Sequence, residues 1–220
     1  MKKILSCLVV ICLLSISIAH AEVPALIPGY WGPVTVNQDD YLFSLHLKVR
    51  IDNLTDDWAN AAARATNRWT DYSENYVVAE VVDSGYNVEC ASKISWFWFL
   101  PDDTIAITNI RDSGGIWAWN FSNGAGNSSN MNTNLEYAHI YVNEDNSCDL
   151  GTYSSKQKRA IMGHEMGHVL NLGHYTTTST PSIMYHEIAS VTEWSHIDRP
   201  QHQDRLNLIY MYRTHLNRGV

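Results

Sequence analysis

The chain has 220 residues, 45% hydrophobic and 17% charged, with 15 Lys and Arg against 23 Asp and Glu and a net charge of −8. That length suits one domain with a genuine core, and the apolar fraction excludes a disordered chain. The acidity argues against gripping nucleic acid or an anionic membrane through bulk electrostatics.

Met1-Lys2-Lys3 is a short basic start, followed by the apolar run Ile4 to Ile18 and the small-residue close Ala19-His20-Ala21. This order reads as a secretory signal peptide over residues 1–21, with cleavage expected after Ala21. The apolar run is about 15 residues, short of the roughly 20 a spanning helix needs, so no stable membrane anchoring is expected after cleavage. Removal takes two lysines and no acid, which moves the net charge from −8 to −10. It also removes Cys7 and Cys12. Cys90 and Cys148 remain, and an oxidising compartment would let them form one structural disulfide. The mature chain is expected to be secreted, or periplasmic in a Gram-negative cell.

Residues 22–40, with Pro24, Pro28, Gly29, Gly32 and Pro33, read as an extended lead-in to a single domain over 22–220. Leu45 to Ile51 alternates apolar with polar, the period-2 signal of a half-buried strand. Thr55 is an N-cap candidate followed by Asp56 and Asp57, and Trp58, Ala61, Ala62, Ala65 and Trp69 then recur at helical spacing. Tyr76 to Val82, Trp96 to Leu100, Thr104 to Ile110 and Ala138 to Asn143 read as strands. The Ser-, Asn- and Gly-rich stretch 122–134 reads as a loop. A helix is expected from Ser154 or Ser155 through Leu170, and a closing helix over Asp204 to His215. Strands and one helix, then two more helices, predict an α+β domain.

The chemistry concentrates in His164-Glu165-Met166-Gly167-His168-Val169-Leu170-Asn171-Leu172-Gly173-His174. Histidines at i and i+4 on a helix lie one turn apart on the same face, so both imidazoles can reach one ion. Glu165 on the adjacent face can hydrogen-bond a water on that ion without ligating it, as a general base must. A catalytic zinc needs a third protein ligand and one position left for water. His174 qualifies only if the chain leaves the helix and turns back, and Asn171 is where it can, because Asn follows Gly as the favoured left-handed residue at a helix end. With ten His in the chain, random placement gives H-E-x-x-H with an expectation of roughly 0.02.

The stretch resembles the H-E-x-x-H-x-x-G-x-x-H signature of the metzincin zinc endopeptidases, with Asn171 in the place of the usual glycine. Ser182-Ile183-Met184-Tyr185 looks like that family's methionine turn, and the resemblance makes Met184 a hydrophobic floor below the imidazoles. Tyr185 directly after Met184 is similar to the matrixin branch. The resemblance implies a small metzincin-like domain: a mixed twisted sheet, a long N-terminal helix, an active-site helix and a C-terminal helix. It also implies that the strand His139, Ile140, Tyr141, Val142 and Asn143 is an edge that pairs with extended substrate.

One catalytic Zn²⁺ on His164, His168 and His174 is therefore expected. Calcium occurs in matrixins, but Asp39-Asp40 and Asp102-Asp103 read first as turn formers and give it no support. The expected activity is secreted zinc-dependent endopeptidase, with Glu165 as general base toward a protein or peptide substrate, and the chain acting as a monomer. The rival reading is a non-catalytic zinc-containing binding module of the same fold. Glu165 argues against it, since a pure metal site has no need of that carboxylate.

Overall fold

The computed structural model describes residues 30–31, 35–37, 42–74, 76–92, 104–115, 117–119, 134–144, 153–175, 181–185 and 197–216. The expected signal peptide, the strand over 96–100, residues 122–133 of the expected loop and Cys148 lie outside these. In chain order the elements are β1 (Tyr30–Trp31), β2 (Thr35–Asn37), β3 (Leu42–Asn53), α1 (Asp56–Tyr72), β4 (Val77–Val81), β5 (Val88–Ser92), β6 (Ala106–Asp112), β7 (Trp117–Trp119), β8 (Asn134–Val142), α2 (Ser155–Val169) and α3 (His202–Leu216). Among the described residues no helix is long and apolar enough to cross a membrane.

The protein is α+β. Five strands form the body of a mixed sheet in the order β4-β3-β5-β8-β6, with β6 antiparallel to its neighbour and the rest parallel. The short strands β1, β2 and β7 attach to β8, β3 and β6. Alternation in β3 buries Leu45, Leu47 and Val49 and exposes His46 and Lys48, as its period-2 pattern predicts. Within the expected lead-in, Tyr30–Trp31 and Thr35–Asn37 are short strands. Trp31 enters the core, and its indole Nε1 donates to the Val169 carbonyl at the end of α2 at 2.5 Å.

In α1 the predicted stripe Trp58, Ala61, Ala62, Ala65 and Trp69 is buried, joined by Thr66. Thr55 is the N-cap residue, yet its hydroxyl makes no capping bond. The Glu144 carboxylate instead accepts from the Thr55 backbone N–H at 3.1 Å, placing negative charge at the positive end of the helix. In α2, Ser154 closes a capping box with Gln157, which satisfies two orphan N–H groups reciprocally. From Ala160 to Leu172 every residue of this segment is buried. α1 packs along α2, and β6 and β8 underlie it.

One expectation needs correction. His139–Val142 belongs to β8, with Asn143 directly after it, and β8 pairs with β5 on one side and β6 on the other, so it is an interior strand. Its backbone groups are already used within the sheet, and β6 lies outside it. The expected Cys90–Cys148 bridge falls on Cys148, outside the described residues; Cys90 itself is a free thiol in the structure. It sits on the core-facing side of β5 with 0% exposure, and burial pushes its pKa up to about 12.

Candidate metal centre

A helix buried on all sides is normally apolar on all sides. The active stretch of α2 departs from that rule: His164 is 6% exposed, Glu165 7% and His168 0%. Buried ionisable groups persist where they are hydrogen-bonded, paired or bound to a metal, so each of the three needs a partner.

The imidazoles have them. His164 and His168 are one turn apart, with ring centroids separated by 4.6 Å. Asn171 ends the helix at φ 66°, the left-handed conformation its position predicts. The reversed chain is tied back by Leu172 N–H to the Gly167 carbonyl at 3.0 Å. His174 thereby returns to within 5.1 Å of the His164 ring and 4.8 Å of the His168 ring. One candidate ligand atom from each histidine lies within 4.8 Å of the other two.

The second ring nitrogens fix the tautomers. His164 Nδ1 lies 2.7 Å from the Ile183 carbonyl, and His168 Nδ1 lies 2.7 Å from the Leu172 carbonyl. A carbonyl only accepts, so each Nδ1 carries the proton and each Nε2 keeps its lone pair. His168 Nε2 and His174 Nε2 are 3.1 Å apart, near the about 3.3 Å edge of a tetrahedron built on Zn–N bonds of 2.0–2.1 Å. Burial and the neighbouring His164 and His174 hold the His168 pKa well below the ordinary histidine value. Neutral imidazole is the form that binds metal. The donor set fits a divalent cation of zinc type.

Glu165 stands apart from this set. Its Oε2 accepts from the Thr108 hydroxyl on β6 at 2.6 Å. Burial pushes the Glu165 pKa up to about 7, with the Thr108 bond opposing the shift. A cation nearby would favour the ionised form.

The turn at Ser182–Tyr185 is built from three directions. Met184 is 1% exposed, and Gly167 leaves room for it: a Cβ there would overlap Met184 Sδ and lie 3.1 Å from Trp69 Cζ2. A Cβ at Gly163 would overlap Ile183 Cδ1. Tyr175 N–H, directly after His174, donates to the Met184 carbonyl at 2.7 Å. Asp204, at the start of α3 and 0% exposed, accepts from Ser182 Oγ at 2.5 Å, Ile183 N–H at 2.9 Å and Gln201 N–H at 2.7 Å. The chain from Asp204 through Ile183 to His164 thus carries the position of α3 to a ligand ring.

Of the sequence-predicted residues, His164, His168 and His174 come together; the Glu165 side chain bonds Thr108, and Met184 packs against Gly167 in the same helix. The strand residues His139–Asn143 do not join them. Ile140 and Val142 fill the core at 0% exposure. His139 faces the other side of the sheet, with Nε2 3.0 Å from Glu89 Oε2 and Nδ1 2.5 Å from the Tyr141 hydroxyl. Sequence reading missed Thr108, Asp204, Gly163, Gly167 and Trp69, whose indole donates to the Gly163 carbonyl at 2.9 Å. Gly163 just before the motif and Gly167 within it, at i and i+4, were the one available signal, since such spacing on a helix invites close approach. No protein-family model matches the chain, and no curated protein matches it.

Proposed function

We propose that this chain is a secreted zinc-dependent endopeptidase of metzincin type, with His164, His168 and His174 holding the metal and Glu165 acting as general base. The observation that carries the reading is a set of three histidines whose candidate ligand atoms lie within 4.8 Å of one another, with a buried carboxylate next in sequence to the first and outside that set. A purely structural site would close its fourth position with another ligand. The resemblance of 164–174 and 182–185 to the metzincin signature supports the family, and the basic–apolar–small order of residues 1–21 supports export.

Zinc bound there would supply Lewis acidity toward a scissile carbonyl and a nucleophilic water near neutral pH. The protein's own share is positional. The carbonyls of Ile183 and Leu172 lock two ligand rings. Glu165 takes a proton from the attacking water as its oxygen bonds to the carbonyl carbon. It returns that proton to the amine nitrogen as the C–N bond breaks. For the substrate backbone the reading turns to β6 in place of β8. β7 covers β6 at Asn109–Arg111, and among the described residues no strand pairs with the outer side of Ala106–Thr108. An extended peptide can add there by strand pairing.

The test is casein hydrolysis by the chain from residue 22 onward, with and without a chelator, beside Glu165→Ala. Wild type should hold one zinc per chain and lose activity on chelation. The variant should keep its zinc and lose about 10²–10⁴ in rate. A wild type that binds zinc yet cleaves nothing in a broad peptide library would refute the endopeptidase and leave a zinc-containing binding module.

A further inference from the structure

We propose that Thr108 is the positioning residue for Glu165: its hydroxyl holds one carboxylate oxygen and leaves the other for the water. This deepens the reading of Glu165 as a base and rests on it. Thr108 lies on β6, 0% exposed, on the face that also carries buried Ile110, and directly across the ladder from buried Ile140. In that apolar row a hydroxyl is costly unless it is bonded. Both its acceptors belong to one residue, Glu165: Oε2 at 2.6 Å and the backbone carbonyl at 3.1 Å. The hydroxyl has one proton, and the shorter contact, to the charged oxygen, is the stronger claim on it.

Among the described residues no other group bonds the Glu165 side chain. Its orientation about three rotatable bonds therefore depends on Thr108, and Oε1 has no protein hydrogen-bond partner there. The placement has a second consequence. Thr108 belongs to the same Ala106–Thr108 segment, with whose outer side no strand among the described residues pairs. One strand therefore sets both the line a substrate backbone would follow and the direction of the base, so the two share a frame. A misplacement of about 1 Å between reacting groups can cost on the order of 10²-fold in rate.

The decisive variants are Thr108→Val, which keeps the shape and removes the hydroxyl, and Thr108→Ser, which keeps the hydroxyl. In the zinc-loaded chain Thr108→Val should lower kcat about tenfold or more. KM should stay within about twofold and zinc content at one per chain, and Thr108→Ser should recover most of the rate. A readout independent of turnover is the affinity of a peptidyl hydroxamate, measured calorimetrically in a double-mutant cycle. Thr108→Val should weaken it several-fold when Glu165 is present and leave it unchanged in the Glu165→Ala background. Unaltered kcat in Thr108→Val, or an affinity loss that persists undiminished in Glu165→Ala, overturns the proposal. A wild type without peptidase activity would remove the endopeptidase reading, while the hydroxamate cycle would still report whether Thr108 acts through Glu165.

Discussion

Gly167→Ala tests the packing between α2 and the turn that carries Met184. On an exposed helix the change would stabilise by about 1 kcal/mol, because alanine is the better helix former. At Gly167 the added Cβ meets Met184 Sδ at overlap and Trp69 Cζ2 at 3.1 Å. Neither neighbour yields easily. Trp69 is 1% exposed and its indole is bonded to the Gly163 carbonyl. Met184 is 1% exposed, its carbonyl accepts from Tyr175 and its N–H donates to Ser182 Oγ at 3.0 Å. Overpacking of this kind costs about 1–3 kcal/mol, so the propensity gain is offset and a net loss of up to about 2 kcal/mol is expected. In a chain of this size that lowers Tm by up to about 8 °C. Urea unfolding of the zinc-loaded protein should show a lower midpoint at constant slope. The cycle partner is Met184→Ala, which costs about 2–5 kcal/mol alone. Gly167→Ala should then change sign and stabilise the Met184→Ala background. Stabilisation by the full propensity gain in the native background would refute the close approach.

Asp204 links stability to pH. Its pKa is raised from 3.8 to about 6 by burial, against four hydrogen bonds that lower it. The folded state therefore favours the protonated form, and stability falls as pH rises from about 4 through about 6. The swing is about 3 kcal/mol at most. Asp204→Asn should flatten that part of the difference curve between wild type and variant, measured by urea unfolding at stepped pH; an unchanged slope would contradict the assignment. Cys90, buried and protonated, should resist a thiol reagent in the folded protein and react once the chain is denatured without reductant. A bridged Cys90 found by mass spectrometry of the unreduced chain would overturn the free-thiol assignment.

The centre was readable wherever the information was local. The i, i+4 spacing of His164 and His168 and the left-handed Asn171 at φ 66° are decided within one helix and its end. The same holds for the Trp58-to-Trp69 stripe of α1. What failed was adjacency. Alternation in residues 138–143 tells which side chains share a face, but not which strands lie on either side, and β8 is interior because β6 returns antiparallel outside it. β5 escaped notice because Val-Glu-Cys-Ala-Ser carries little β-branched character; it is a strand through its neighbours.

The supporting groups were hidden for the same reason. Thr108 sits 57 residues before Glu165, and Asp204 reads as one more acid in a helix's first turn. His164 and His168 can be recognised from a helix period, which alone brings them together, and His174 from the left-handed residue that turns the chain back. The residues that aim those side chains are chosen by the fold, since each needs only the right distance from its target. Any of several small polar residues at many positions along β6 would have looked equally ordinary. Thr108 is distinguished only by the sheet, which makes its hydroxyl the sole hydrogen-bond partner of the Glu165 side chain among the described residues. That is why the mutational tests separate the two kinds of residue: loss of a ligand should empty the site, whereas loss of Thr108 should leave it filled and slow.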